Sequence, residues 1–158
     1  MNKGFLNQSE KELKMNKYME YYYRTIGYDD VIWNGDKKKD VTLLDGNRRI
    51  TVEHKYRYIE YDDILIEIMQ DIKTNNTGWF YMTEADFLHY IICIEDVPKY
   101  FYRIKVREFK KWCREYIEKN SNNLCWKVSS RGFGITLNMV IKIKVIPENI
   151  CKRWEIVE

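Results

Sequence analysis

Proline is scarce in this sequence, and long apolar runs are missing. Its 158 residues include two prolines and no low-complexity tract, while apolar residues make up 45% and charged residues 32%. These proportions exclude a disordered chain and predict one globular domain over residues 1–158. No apolar stretch is long enough to span a membrane, and the N-terminus lacks the apolar core of a signal peptide. We therefore expect a cytoplasmic protein without a membrane partner.

Cysteine and net charge give little indication of function. The four cysteines are widely spaced, without a CxxC pair or a Cys/His cluster, which argues against a zinc site or a disulfide framework. The net charge of +3 is too small to indicate nucleic acid by itself. Any functional signal therefore lies in local patterns of residues.

Periodic patterns predict a mixed α/β (α+β) fold, with a central mixed β-sheet flanked by helices. Ser9 and Glu12 have the capping-box form and precede a helical apolar stripe that ends at Gly27. A second helix is predicted from the capping sequence Thr83-Glu-Ala-Asp86 through Ile91. The other predicted elements are strands over 31–33, 40–45, 50–58, 64–69, 100–106, 124–129 and 134–146, and an amphipathic helix over 107–120.

The stretch from Asp40 to Lys55 has the pattern of a β-hairpin, and two turns fit it equally well. A turn at Gly46-Asn47 sets Asp40 opposite Glu53, with side chains about 5 Å apart at Cβ. Two carboxylates at that distance repel each other unless a cation such as Mg²⁺ lies between them. A turn at Asp45-Gly46 instead sets Lys38 opposite Glu53, which is an ordinary surface ion pair without a site.

The acid-x-Lys triplet at Glu53 is weak evidence alone, because the chain contains several such triplets. Two of them lie on predicted helices, where they belong to solvated faces. Glu53 differs because it has its own strand, the third after a capped helix, with a strand bearing Glu67 next in the chain. This context favours the register that opposes Asp40 and Glu53. The five triplets begin at Glu12, Asp36, Glu53, Asp71 and Glu108.

This arrangement resembles the PD-(D/E)XK nuclease superfamily, whose restriction-endonuclease-like core is a helix, a three-stranded meander, a helix and a further strand. The resemblance covers roughly residues 9–117. Asp40 matches the strand-two aspartate, and Glu53-His54-Lys55 matches the (D/E)XK triplet, although Lys39 stands where proline precedes the aspartate in the literal motif. The segment from Ile66-Glu67 through Gly78-Trp79 to Asp86-Phe87 also resembles small, mostly phage-borne members.

The resemblance implies a deoxyribonuclease that depends on Mg²⁺ or Mn²⁺. Asp40, Glu53 and the main-chain carbonyl of His54 would be the metal ligands, because hard cations prefer oxygen. Lys55 would position the attacking water and stabilise developing negative charge. Glu67 would complete the catalytic set by holding a second metal or a metal-bound water.

The remaining expectations concern partners. The basic residues around the hairpin, Lys38, Lys39, Arg48 and Arg49, are expected to bind nucleic acid, DNA above all, with ordinary solvated faces as the alternative. Glu20 flanks the apolar stripe of the first helix and is a further candidate for the pocket, with a solvated glutamate as the alternative. A nuclease that cuts both strands would act as a homodimer. The alternative function is a catalytically inactive nuclease-fold protein that binds nucleic acid or a protein partner.

Overall fold

The computed structural model describes residues 8–36, 38–131 and 134–157, which contain three helices and ten strands. The helices are α1 (Gln8–Thr25), α2 (Trp79–Met82) and α3 (Val106–Lys119). The strands are β1 (Asp30–Asp36), β2 (Lys39–Asp45), β3 (Arg48–Arg57), β4 (Asp63–Asp71), β5 (Asn76–Thr77), β6 (Phe87–Ile94), β7 (Val97–Lys105), β8 (Cys125–Arg131), β9 (Gly134–Lys142) and β10 (Cys151–Glu155).

The larger of two sheets has six strands in the order β1-β2-β3-β6-β7-β10. Strands β1 to β3 form an antiparallel meander, β3 and β6 run parallel, and the remaining pairs are antiparallel. The sheet is therefore mixed, and the fold is α+β as predicted. Met15, Met19 and Tyr23 of α1 belong to the apolar cluster that includes Val41 and Val52 of the meander.

The smaller sheet has four antiparallel strands in the order β5-β4-β9-β8. Sequence periodicity predicts β4, β8 and β9 but places them in one sheet with the other strands, and this placement is wrong. The pairing of Glu67 with Asn138 and Leu65 with Val140 joins β4 to β9 rather than to the meander. Periodicity reports which face of a strand is buried, and it does not identify the neighbouring strand.

The helix predicted from Thr83 through Ile91 is also wrong, because residues 87–94 form β6. This strand lies between β3 and β7 in the sheet. Residues on both of its faces are buried, and its sequence is apolar almost throughout. The predicted helix cap has another partner: Asp86 Oδ2 accepts hydrogen bonds from Thr51 N at 2.8 Å and Thr51 Oγ1 at 2.9 Å. His89, which falls within the predicted helix, is buried in the sheet.

The other predicted elements agree with the structure to within a few residues, including α1, the three-stranded meander and the amphipathic α3. The short strand β5 and the edge strand β10 have no counterpart in the prediction. The side chain of Ser9, which the sequence predicts to cap α1, lies outside the described part of the chain. No described helix combines the length and apolarity needed to cross a membrane.

Candidate active site

The β2–β3 hairpin has the register set by a turn at Gly46-Asn47. Leu44 pairs with Arg49 and Thr42 with Thr51, and the ladder continues to Val41 and Val52. Gly46 has φ of +54°, which glycine adopts without strain. The alternative register, with Lys38 opposite Glu53, is wrong. Lys38 instead pairs with Glu84, with 2.7 Å between Nζ and Oε1.

Asp40 lies one residue beyond the last hairpin pair and binds the backbone of β3. Its Oδ2 accepts a hydrogen bond from His54 N at 2.6 Å. A bond to a carboxylate is stronger than one between neutral groups, so it fixes Asp40 against the strand that carries Glu53 and Lys55. The hairpin thus brings the predicted aspartate and the predicted triplet together.

Glu53 and Lys55 form a short, largely buried ion pair. Lys55 Nζ donates to Glu53 Oε1 at 2.6 Å, and the Glu53 side chain is only 5% exposed while that of Lys55 is 33% exposed. Burial raises the pKa of Glu53, and Asp40 and Glu67 raise it further, while Lys55 acts in the opposite direction. Burial by itself would lower the pKa of Lys55, but Glu53 and the other acids raise it overall.

The second carboxylate oxygen of Glu53 is a buried acceptor without a hydrogen-bond donor among the described residues. Glu53 Oε2 is inaccessible to solvent and has no hydrogen-bond partner among the described residues. A buried carboxylate oxygen normally has one, because leaving it unsatisfied costs about 1–3 kcal/mol. An added positive ligand at this oxygen would remove that cost.

Glu67 approaches the same site from the smaller sheet. Its Oε1 accepts a hydrogen bond from Trp79 N at 3.3 Å, and its charge contributes to the raised pKa of Glu53. Gly78 makes this arrangement possible, because a Cβ there would lie 2.6 Å from the carbonyl carbon of Glu67 and 2.8 Å from that of Ile68. The predicted site therefore includes residues from both sheets.

The side chain of His54 points away from the ion pair into a buried chain of hydrogen bonds. Tyr56 Oη donates to Asn16 Oδ1 at 2.6 Å and lies 3.1 Å from His54 Nδ1, so this nitrogen must be the donor. His54 Nε2 then accepts from Tyr23 Oη at 2.7 Å. Tyr23 Oη in turn accepts from His89 Nδ1 at 2.6 Å.

This series of hydrogen bonds assigns the tautomers of both histidines, and it explains why one buried histidine nitrogen carries no proton. His89 Nε2 has no hydrogen-bond partner in the described part of the chain, and the assignment makes it an unprotonated acceptor. Burial lowers the pKa of His54 to about 3, helped by Lys55, and burial lowers the pKa of His89 strongly as well. Both rings are neutral at physiological pH, and their hydrogen bonds join Tyr23 of α1 to the large sheet.

Metal binding was predicted at Asp40, Glu53 and the carbonyl of His54. The described residues contain no group of three or more His, Cys, Asp or Glu side chains placed to hold a metal ion. Two carboxylates with a main-chain carbonyl still match Mg²⁺, which usually takes one or two protein carboxylates and keeps several waters. The unpartnered Glu53 Oε2 is the observation on which this fit depends.

The other predicted contact residues lie farther along the surface. Glu20 accepts a hydrogen bond from Trp33 Nε1 at 3.1 Å and pairs with Arg24. It does not line the cleft beside Asp40, Lys55 and Glu67. Arg48 is exposed beside the hairpin turn. Lys38, Lys39 and Arg49 line a second cleft of about 310 Å³, together with Thr51, Glu84 and Asp86.

The main cleft, of about 690 Å³, adjoins the ion pair and is lined by Asp40, Lys55 and Glu67. Sequence reasoning missed most of its other residues, and two of these, Lys127 and Asn138, belong to β8 and β9. The pairing of β9 with β4 brings these distant residues to the site. No signal in the sequence identifies that pairing.

Comparisons of the chain with family models, with curated proteins and with solved structures find no match.

Proposed function

We propose that the protein is a Mg²⁺- or Mn²⁺-dependent nuclease of the PD-(D/E)XK type that hydrolyses DNA phosphodiester bonds. The observation that carries this proposal is the environment of Glu53. Its carboxylate is buried, one oxygen is bound to Lys55, and the other has no partner among the described residues. An acid and a lysine held together at a cleft, with Asp40 beside them, are groups that can bind a divalent cation and stabilise charge on a phosphate.

Each residue has a role that follows from its contacts. The His54 N–H orients Asp40, so its carboxylate and that of Glu53 can share one cation. A bound divalent cation would supply a water of lowered pKa and screen charge on the phosphate. Lys55 is anchored by Glu53 yet one-third exposed, so its ammonium can donate to a phosphate oxygen and stabilise developing charge.

The order of elements gives further support. Helix α1 precedes the β1–β3 meander, and α2 and a strand parallel to β3 follow. This order parallels the restriction-endonuclease-like core, with β4 and β5 added between the meander and α2. The added strands carry Glu67, which faces the same cleft as Asp40 and Lys55.

The direct test is cleavage of linear, circular and branched DNA in the presence of Mg²⁺ or Mn²⁺. We expect cleavage by the wild type, and a loss of roughly 100-fold or more in Glu53→Gln and Lys55→Met, as for other groups that stabilise transition-state charge. Lys142→Met is a matched control, because Lys142 forms an ion pair of the same length with Asp62 on the surface. Absence of cleavage by the wild type, or full activity of Glu53→Gln, would contradict the proposal.

A catalytically inactive nuclease-fold protein that binds nucleic acid or a protein partner is the second candidate. It is favoured by the lack of a three-residue metal-ligating group among the described side chains. Titration calorimetry with Mn²⁺ separates the two functions. Metal uptake that Asp40→Asn abolishes supports the nuclease, whereas DNA binding without metal uptake supports the inactive protein.

A further inference from the structure

Aromatic rings line the main cleft next to the proposed catalytic residues. Trp33 and Tyr56 line the wall formed by the large sheet, and Tyr58 and Tyr61 lie on the connection between β3 and β4. Tyr61 is 47% exposed, and the Arg57 guanidinium lies 4.5 Å from its ring centroid. An exposed ring in a cleft can stack on a nucleobase, whatever the base, because every base has a π-face.

Amide side chains from both sheets face the same space. Asn34 follows Trp33 on β1, and Gln70 and Asn138 come from β4 and β9 of the smaller sheet. A carboxamide offers both donors and an acceptor, which are the groups that bind the edges of unpaired bases. In a duplex the Watson–Crick edges are already paired and the base faces are stacked, so the cleft could reach neither of them.

The charges of the cleft do not fit a duplex. Among the residues that the structure describes, three cationic side chains line it, Lys55, Arg57 and Lys127, and the first two are already in ion pairs. Arg57 Nη1 lies 2.7 Å from an oxygen of Asp63. Duplex binding depends on many Lys and Arg contacts to phosphates, and a cleft with so few can offer little of that interaction.

The size of the cleft agrees with this conclusion. Its volume of about 690 Å³ falls within the range of roughly 300–1,000 Å³ typical of small-ligand sites. Such a space holds a short run of nucleotides and is too small to enclose a double helix.

We infer that the cleft binds a single-stranded segment of DNA, with bases stacked on Tyr61 and its neighbours and the adjoining phosphate at Lys55. This inference rests on the proposed nuclease function and defines its substrate as DNA with an unpaired region. The protein would then cleave flaps, gaps or single-stranded ends in preference to an intact duplex.

Binding without metal tests the inference separately from catalysis. Fluorescence anisotropy in EDTA compares a labelled single-stranded oligonucleotide with the same sequence in a blunt duplex. We expect the single strand to bind at least about tenfold more tightly. Tyr61→Ala should weaken single-strand binding by about fivefold to a hundredfold, and Tyr61→Phe, which keeps the ring, should restore it. Tyr21→Ala is the matched control, because Tyr21 is 72% exposed on α1 and outside the cleft.

The outcomes distinguish the inference from the function that it extends. If Mg²⁺-dependent cleavage is observed but the duplex binds as tightly as the single strand, the substrate assignment is overturned and the nuclease remains. Binding that is equal in Tyr61→Ala and Tyr21→Ala also overturns it. Tight, Tyr61-dependent binding of the single strand without any cleavage supports the cleft assignment and contradicts the nuclease.

Discussion

Replacing Lys55 with methionine should destabilise the protein in a way that acid reverses. The change leaves the Glu53 carboxylate, 5% exposed, without its cation. Breaking a buried ion pair costs about 3–5 kcal/mol, whereas exposed pairs contribute about 0–1 kcal/mol. Because Lys55 itself is one-third exposed, we expect a loss of about 2–3 kcal/mol in the free energy of unfolding at pH 7.5.

The pH dependence of this loss follows from linkage. The pKa of Glu53 is already raised by burial, and without Lys55 the remaining influences of Asp40 and Glu67 raise it further. Between the ordinary pKa of Glu53 in the unfolded chain and its raised pKa in the folded variant, the folded state binds a proton that the unfolded state does not. The contribution of Glu53 to stability therefore falls as the pH rises from the first pKa to the second. Lowering the pH to 5 should therefore reduce the difference in stability between Lys55→Met and wild type.

Urea unfolding of both proteins at pH 7.5 and pH 5 measures this difference. Glu53→Gln/Lys55→Met removes both charges and should be more stable at pH 7.5 than Lys55→Met alone. Lys142→Met, which removes a surface pair of the same length, should change stability little at either pH. If Lys55→Met is as stable as wild type at pH 7.5, or loses the same amount at both pH values, the assignment of a buried, charged Glu53 is refuted.

Three further outcomes are expected. Gly78→Ala should lose about 1–3 kcal/mol of stability in thermal unfolding and reduce cleavage, because the added Cβ would overlap the backbone at Glu67. Gly35→Ala is the control, and it should retain wild-type stability and cleavage because a Cβ there meets open space. Tyr23→Phe should lose about 2–3 kcal/mol in urea unfolding, because two buried histidine nitrogens lose their partner. The imidazole of His54 should not titrate between pH 8 and 5 by NMR, because burial lowers its pKa to about 3. The contribution of His54 to stability should decrease as the pH falls below 6.5, where the unfolded chain gains a proton. An NMR titration midpoint near 6.5 would contradict the burial of this ring.

The parts of the site that depend on local patterns were predictable. The hairpin is fixed by a turn and by alternation along two neighbouring strands, so its pairing could be narrowed to two registers. Context then selected the observed one, which brings Asp40 to the backbone of His54. The ion pair of Glu53 and Lys55 follows from the period of two along β3.

The parts that depend on distant pairing could not be predicted. Glu67 was expected on a strand next to the meander, whereas it faces the site from a separate sheet. The segment that starts at Phe87 satisfies a helical pattern and a strand pattern at once, because a strand buried on both faces is apolar throughout. Its pairing with β3 and β7 makes this segment a strand. Tyr23 bonds to His54, 31 positions away in the sequence, and to His89, 66 positions away. No local pattern encodes contacts between residues so far apart.

The split of the site between a local hairpin and a distant strand pairing has a consequence for the order of assembly. Asp40, Glu53 and Lys55 lie within one hairpin, a structure that forms on a timescale of about 1–10 μs. Glu67 takes its place only when β4 pairs with β9, in which Asn138 is its partner. A growing chain therefore carries the acid and lysine groups well before it can close the cleft around them, and the complete site forms only after β9 has been synthesised.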